Sequence, residues 1–242
     1  MKERTREAIM STIVGEKSAA QTIAIDGPVA SGKSSVGRLL AQALGYRFLD
    51  TGVMYRAVTR LALKEGVPLD DEEGLAKLAR ESPLTLDVDP APSPKGWAIR
   101  AGGVLMSDEI FSPEVERGVS LVARHPGVRE ILVAQQRVIA ARGGIVMVGR
   151  DIGTVVLPKA DLKVFLRASP EVRARRRQQE LQEKGKNVGL DEVLSDISQR
   201  DTLDTQRAAS PLRPAPDAAI VDTDELDLGQ VVQRILDLAR SS

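Results

Sequence analysis

The chain has 242 residues, with 34 Lys plus Arg against 34 Asp plus Glu, one histidine and no cysteine. This balance gives no global field for nucleic acid or an anionic membrane, and the lack of cysteine excludes disulfides, thiolate zinc sites and a cysteine nucleophile. No apolar run approaches the roughly 20 residues that span a bilayer, so a soluble protein with neither nucleic acid nor membrane as a partner is expected.

Residues 1–20 are charged and small, and their apolar pieces, Ala8-Ile9-Met10 and Ile13-Val14, are too short for a core stripe. Glu3, Glu7 and Glu16 argue against a targeting signal, which leaves a poorly ordered extension as the expectation. Thr22 to Asp26 is short, apolar and β-branched and reads as a strand, while Val36, Leu39, Leu40, Ala43 and Leu44 recur at helical spacing. Between them runs Gly27-Pro28-Val29-Ala30-Ser31-Gly32-Lys33-Ser34, followed by Ser35, which fits G-x-x-x-x-G-K-[ST]. The glycines let backbone N–H groups turn inward, Lys33 can reach outer phosphates, and the Ser34 hydroxyl can ligate magnesium. The helix N-terminus adds partial positive charge, so the stretch reads as a polyphosphate site.

Arg47 to Asp50 reads as a second strand and Val53 to Glu65 as a helix. At their junction Thr51, Tyr55 and Arg56 admit two readings: a second ligand site with Arg56 on a phosphate, or a helix cap beside a solvated arginine. From Pro68 to Pro94 acids and prolines increase, Leu84 to Val88 alternates, and Trp97–Ala101 and Val104–Met106 flank Gly102-Gly103 as a hairpin. A small β-rich insert is predicted. Helices follow over Pro113 to Ala123 and Pro126 to Arg142, the second with Val128, Ile131, Leu132, Val138 and Ile139 as its buried stripe. Ser120 and Arg129 lie on these helices without standing out.

Gly144 to Val148 is the next buried strand, ending in Gly149-Arg150-Asp151-Ile152-Gly153-Thr154. Ligands gather at the carboxyl ends of strands in parallel sheets, which favours Arg150 and Asp151 over a mere turn ion pair. Leu162 to Leu166 is another strand, and Ser169 with Pro170 opens a helix. On that helix Arg173, Arg176 and Arg177 share a face and could clamp a phosphoryl group, or belong to an ordinary charged surface. A break at Gly185 to Gly189 precedes a helix over Asp191 to Arg207, where Arg200, Asp204 and Arg207 share a face as ligand groups or as surface ion pairs. Ala218 to Asp222 is the last strand, and Val231, Val232, Ile235 and Leu236 mark the closing helix. Alternating strands and helices give an α/β fold with a parallel sheet of about five strands.

Together the phosphate loop, L-D-T-G-x-M-Y-R at Leu49 to Arg56, G-R-D-I-G-T-V-V at Gly149 to Val156 and R-D-x-x-D-x-x-R at Arg200 to Arg207 resemble the bacterial cytidylate kinase family. The resemblance implies a P-loop kinase fold: a parallel five-stranded sheet flanked by helices, a monophosphate-binding insert over about 68–112 and an arginine-bearing lid over about 169–190, within a domain over 21–242. It implies a cytoplasmic enzyme, expected as a monomer, that moves the γ-phosphoryl of ATP to CMP or dCMP with Mg2+. Lys33 and Ser34 would serve ATP and magnesium. Arg56, Arg150 and Arg207 would hold the acceptor phosphate, Ser120, Arg129 and Asp151 would read the cytosine edge, Thr51 would sit against the nucleotide, and Arg200 with Asp204 would address the sugar hydroxyls. Two positions depart from the pattern: Val148 stands where many relatives carry an acid before G-R-D, and Phe111 where an arginine often follows the insert's last isoleucine.

Other classes fit less well. A GTP switch needs N-K-x-D, yet the lone Asn187 precedes Val188, and its D-x-x-G occurs only at Asp71 to Gly74. No H-R-D of a protein kinase exists, since His125 precedes Pro126. A kinase for another small acceptor and a nonenzymatic ATP-binding module stay open.

Overall fold

The computed structural model describes residues 21–88 and 97–241, so the expected extension over residues 1–20 and part of the insert lie outside the described residues. Five strands form the central sheet: β1 (Thr22–Asp26), β2 (Arg47–Asp50), β6 (Ile145–Gly149), β7 (Leu162–Arg167) and β8 (Ala219–Asp222). Their order is β2-β6-β1-β7-β8, every pairing parallel, with Ala24 opposite Met147 on one side and Lys163 on the other. β1, the first strand, lies in the middle, so chain crossovers leave it in opposite directions and open a crevice at its carboxyl end. The phosphate loop begins there.

Helix α1 (Lys33–Leu44) starts behind Gly32 and ends at Gly45, both left-handed. It presses Gly37 against β6 so closely that a Cβ there would stand 2.5 Å from Val148 and 2.8 Å from Phe48. Helix α2 (Gly52–Glu65) follows β2. The main core joins both sheet faces to these helices through fully buried Ile23, Ile25, Leu40, Leu49, Met54, Ile145 and Met147. Each such side chain contributes about 1.5–3 kcal/mol on burial.

The insert departs from the sequence reading in one respect. Before its antiparallel sheet β3-β4-β5 (Leu84–Asp87, Ala98–Ala101, Val104–Met106) stands a helix, α3 (Glu72–Glu81), whose acidic first turn hid the apolar stripe of Leu75, Leu78 and Ala79. Asp71 caps it by accepting from the Gly74 N–H at 3.0 Å, so the D-x-x-G stretch is a helix start. His125 lies buried with Nε2 2.9 Å from the Leu69 carbonyl oxygen.

Helices α4 (Pro113–Val122) and α5 (Pro126–Ala140) occupy the expected segments. Val138, however, is 72% exposed. The buried face of α5 runs through Val128, Leu132 and Gln136 at i, i+4 and i+8, with Arg129 and Val133 beside it, so two polar residues occupy positions the periodicity assigns to the core. Helices α6 (Pro170–Glu183) and α7 (Leu190–Gln206) pack on each other with a small separate cluster of Ala174, Val193 and Ile197 that also touches Val29 and Ala30. Helix α8 (Leu228–Ser241) closes the chain over α1.

Candidate active site

The phosphate loop is built on strained backbone. Gly32 lies at φ 89° and Ala30 at φ 57°, both left-handed, and a Cβ at Gly27 would stand 2.4 Å from the Leu166 carbonyl oxygen. Lys33 curls under the loop, its Nζ donating to the Pro28 carbonyl at 2.5 Å and to Ser31 Oγ at 3.1 Å. Burial pushes its ammonium well below the usual lysine range; Arg150 pushes the same way, and Asp50, Asp26 and Asp204 oppose. An entering polyphosphate brings the anionic charge this group lacks.

Ser34 Oγ donates to Asp50 Oδ2 at 2.6 Å, and Asp50 Oδ1 accepts from the Gly52 N–H at 3.0 Å. A hydroxyl and a carboxylate side by side form the hard-oxygen pair that suits magnesium. Val148 is buried against α1, so the carboxylate next to the loop serine comes from β2 rather than β6. Thr51 neither caps α2 with its side chain nor opens to the cleft: buried, it donates to the Val148 carbonyl at 3.0 Å and ties β2 to β6.

Asp26, at the end of β1, accepts from the Ile152 and Gly153 N–H groups at 2.8 Å each, fixing the tight π-turn Ile152–Val156 that follows G-R-D. Burial pushes its carboxyl up to about 6, against the pull of those two N–H groups. Arg150 then projects toward α7, where its Nε donates to Asp204 Oδ2 at 2.7 Å. Burial pushes Asp204 up, but Arg150 and then Arg207 and Arg200 outweigh it and hold the carboxyl below its usual value.

Asp151 points the other way, into a buried corner, and pairs with Arg129 NH2. Arg129 also donates to the Ala123 carbonyl and to Ser210 Oγ, each at 3.2 Å, and its guanidinium lies 5.5 Å from the Tyr55 ring centroid. Arg207 reaches Asp151 Oδ1 at 3.7 Å while its Nε donates to the Ser210 carbonyl at 2.7 Å. Burial pushes the Tyr55 phenol up to about 12, partly offset by Arg129. Ser120 and Gln136 are buried as well.

The arginines of α6 do not form the single clamp their spacing suggests. Arg173 is buried, and its nitrogens are spent on the Ala168 carbonyl, the Val29 carbonyl and Asp201, the last at 2.6 Å. Arg176 is tied to Thr223 through both its hydroxyl and its carbonyl. A guanidinium removed from water must find acceptors, and these two find them within the fold. Arg177 alone of the three faces the cleft, reaching Glu116 at 3.1 Å.

Glu116 is the residue sequence reasoning missed. Its Oε1 also receives Arg56 at 3.3 Å and Arg200 at 2.9 Å. Burial pushes its carboxyl up, but Arg56, Arg177 and Arg200 prevail and bring it down to about 2. Arg56 lies 5.2 Å from the Phe111 ring centroid, so the aromatic at that departing position supports an arginine rather than replacing one. Arg200 and Asp204 are not an i,i+4 surface pair: each is engaged by a different element. A faint signal for Glu116 existed, its place one helical turn before Ser120 on the face α4 turns inward.

From five separated stretches, Ser34, Arg56 and Arg177 thus line one cleft with Glu116, Arg200 joins it through that carboxylate, Lys33 lies under the phosphate loop, and Arg150 and Arg207 stand on Asp204 and Asp151. This fold and this loop define a P-loop kinase. The cytidylate kinase family model matches residues 23–241. The chain is 49% identical over 214 residues to the cytidylate kinase of Pelotomaculum thermopropionicum, covering 88% of this chain and 93% of that one, and 48% identical over 217 residues to that of Geobacillus kaustophilus, covering 90% and 95%. It is also 52% identical over 218 residues to a bifunctional pantoate ligase/cytidylate kinase of Synechococcus sp. (strain JA-3-3Ab), covering 90% of this chain but only 40% of that protein's length. The chain belongs to the cytidylate kinase family.

Proposed function

We infer that the chain transfers the γ-phosphoryl group of ATP to CMP or dCMP, giving ADP and CDP or dCDP. The observation that carries the choice of base is the buried Arg129–Asp151 pair at the carboxyl end of β6. Cytosine offers an amine donor beside ring-nitrogen and carbonyl acceptors, so a carboxylate that takes the amine next to a guanidinium that donates to the acceptors matches it; uracil inverts the first two. Tyr55 borders that corner, and Ser120, buried on α4, would join in reading the base. Arg56, Arg150 and Arg207 hold the acceptor phosphate, and Arg200 with Asp204 address the sugar.

ATP enters over Gly27 to Ser35, its outer phosphates against Lys33 and the loop N–H groups. Mg2+ fits Ser34 and Asp50, where it would offset phosphate charge. Little covalent chemistry falls to the protein, because phosphoryl transfer depends on alignment and on charge placed in advance. Lys33 and Arg150 supply that charge from the sheet side and Arg177 from α6. Arg173 and Arg176 act differently, anchoring the helix that covers the cleft and excludes water. One chain supplies every group named, which supports a monomer, and ATP with CMP as substrates supports work in the cytoplasm.

The test is ADP release, coupled to a reporter, with CMP, dCMP, UMP, AMP and a sugar acid offered in turn. Turnover with CMP and dCMP well above the others is expected. Equal turnover with all, or none dependent on an acceptor, contradicts the reading.

A further inference from the structure

Three guanidiniums meeting at one oxygen are electrostatically expensive unless an anion sits between them. Arg56 on α2, Arg177 on α6 and Arg200 on α7 meet in this way, and the anion between them is the chain's own Glu116. Glu180, half-exposed on the same cleft, also takes Arg177 at 3.0 Å, so two carboxylates face three guanidiniums and positive charge remains in excess. Arg56 Nη1 and Arg200 Nε, both buried, find no acceptor among the described residues, so the cluster also holds unspent hydrogen-bonding capacity. Glu116 lines, together with Ser34 of the phosphate loop, a cleft of about 430 Å³. A phosphate dianion entering it offers more charge and more oxygens than a carboxylate does.

We propose that Glu116 is an internal stand-in for the acceptor's phosphate: a positioning residue that gathers Arg56, Arg177 and Arg200 on one point before the acceptor arrives, then yields Arg56 to the monophosphate, Arg200 to the sugar beside it and Arg177 to the phosphoryl group in transfer. Through Arg177 the same contact holds α6 across the cleft. The proposal rests on the phosphoryl-transfer reading of the site and adds an energetic direction to it. A stand-in competes with the group it imitates, because Arg56 must leave the carboxylate to meet the phosphate, and the carboxylate then repels the dianion. Replacing it with a neutral group of the same shape should therefore tighten binding of the phosphate.

The experiment is calorimetric titration of the whole chain and of Glu116→Gln with CMP, with cytidine and with inorganic phosphate. The expected result is about tenfold tighter binding of CMP and of inorganic phosphate by the variant, the scale of one charge-assisted hydrogen bond, with cytidine binding unchanged. In turnover, KM for the acceptor should fall more than kcat changes. CMP and phosphate binding unchanged or weakened would overturn the proposal and make Glu116 a brace that orients the arginines. Should Glu116→Gln fail to fold, Glu116→Asp keeps the charge on a shorter arm: tighter phosphate binding than wild type supports the stand-in, equal or weaker binding rejects it. If cytidine and CMP both fail to bind the wild type, the cytidylate reading falls, while the inorganic phosphate arm still decides the role of Glu116.

Discussion

The sheet body and the α6–α7 pair are held together by different means. Around the sheet, large side chains such as Ile23, Leu40, Leu49, Met54 and Met147 fill one continuous core. Between α6 and α7 the buried apolar side chains are Ala174, Val193 and Ile197, with Leu181, Val188 and Leu194 partly buried against them; Arg173 to Asp201 joins the two helices, and Arg176 to Thr223 and Arg177 to Glu116 tie α6 to the body. A small apolar cluster tied by ion pairs opens at lower free energy than a packed core, which is what a cover over a phosphoryl-transfer cleft requires. The body keeps the loop and the base-reading corner rigid, and the helix pair brings arginines to them.

Two carboxylates repeat the contrast. Asp26 and Glu116 both lose water, yet Asp26, met mainly by backbone N–H groups, is pushed up to about 6, and Glu116, met by three guanidiniums, is brought down to about 2. Burial alone does not set the direction; the charge of the partner does.

The largest expected effect is Lys33→Ala, which removes the cation beneath the phosphates and should cost roughly a hundred- to a thousandfold in kcat with CMP. Its melting transition should stay cooperative, since no core side chain is lost. Near-normal turnover would remove the loop from the mechanism. Next comes the pair that separates the two regions. Leu132→Ala, in the main core, should cost about 2–5 kcal/mol in denaturant unfolding. Ile197→Ala, in the small cluster, should move acceptor-free ATP hydrolysis and KM values more than global stability, and equal losses of stability in both variants would erase the distinction between body and cover.

A smaller effect is the pH dependence of stability, and its signs oppose. Asp26 has a raised folded pKa, so its contribution is full below the unfolded carboxyl value and is lost as pH rises through about 6. Glu116 has a depressed one, so its contribution is present above the unfolded value and is lost as pH falls toward about 2. Melting temperatures of Asp26→Asn should accordingly decline less than wild type between pH 5 and pH 7, and those of Glu116→Gln should decline less between pH 5 and pH 3. Parallel wild-type and variant curves would show that these carboxylates do not carry the linkage.

Much of this arrangement was legible because motif and periodicity coincided. The phosphate loop sat between an apolar strand and an amphipathic helix, and Arg150 and Asp151 followed a buried strand, so the carboxyl-end crevice could be placed from sequence. Helix α3 escaped because its acidic first turn and nearby prolines outweighed a stripe of three apolar residues. Val138 misled because its apolar character fitted the stripe, while Gln136, on the buried face, is polar. The partners of Arg173 and Arg176 could not be read, since spacing shows which residues share a helix face and not which carbonyls the rest of the fold brings to that face. Glu116 was hidden for the same reason: its three arginines arise about 60, 61 and 84 residues away and meet only in the folded chain.

The central claim is that arginines from distant segments converge on one acceptor phosphate while Arg129 and Asp151 hold its base. Comparing CMP with cytidine, which lacks the phosphate, in Arg150→Ala and Arg207→Ala tests it most directly by calorimetry. Each variant should bind CMP about tenfold to a hundredfold more weakly, the scale of one or two charge-assisted hydrogen bonds, with cytidine binding within about twofold of wild type. Equal losses for CMP and cytidine, or none for either, would contradict the convergence.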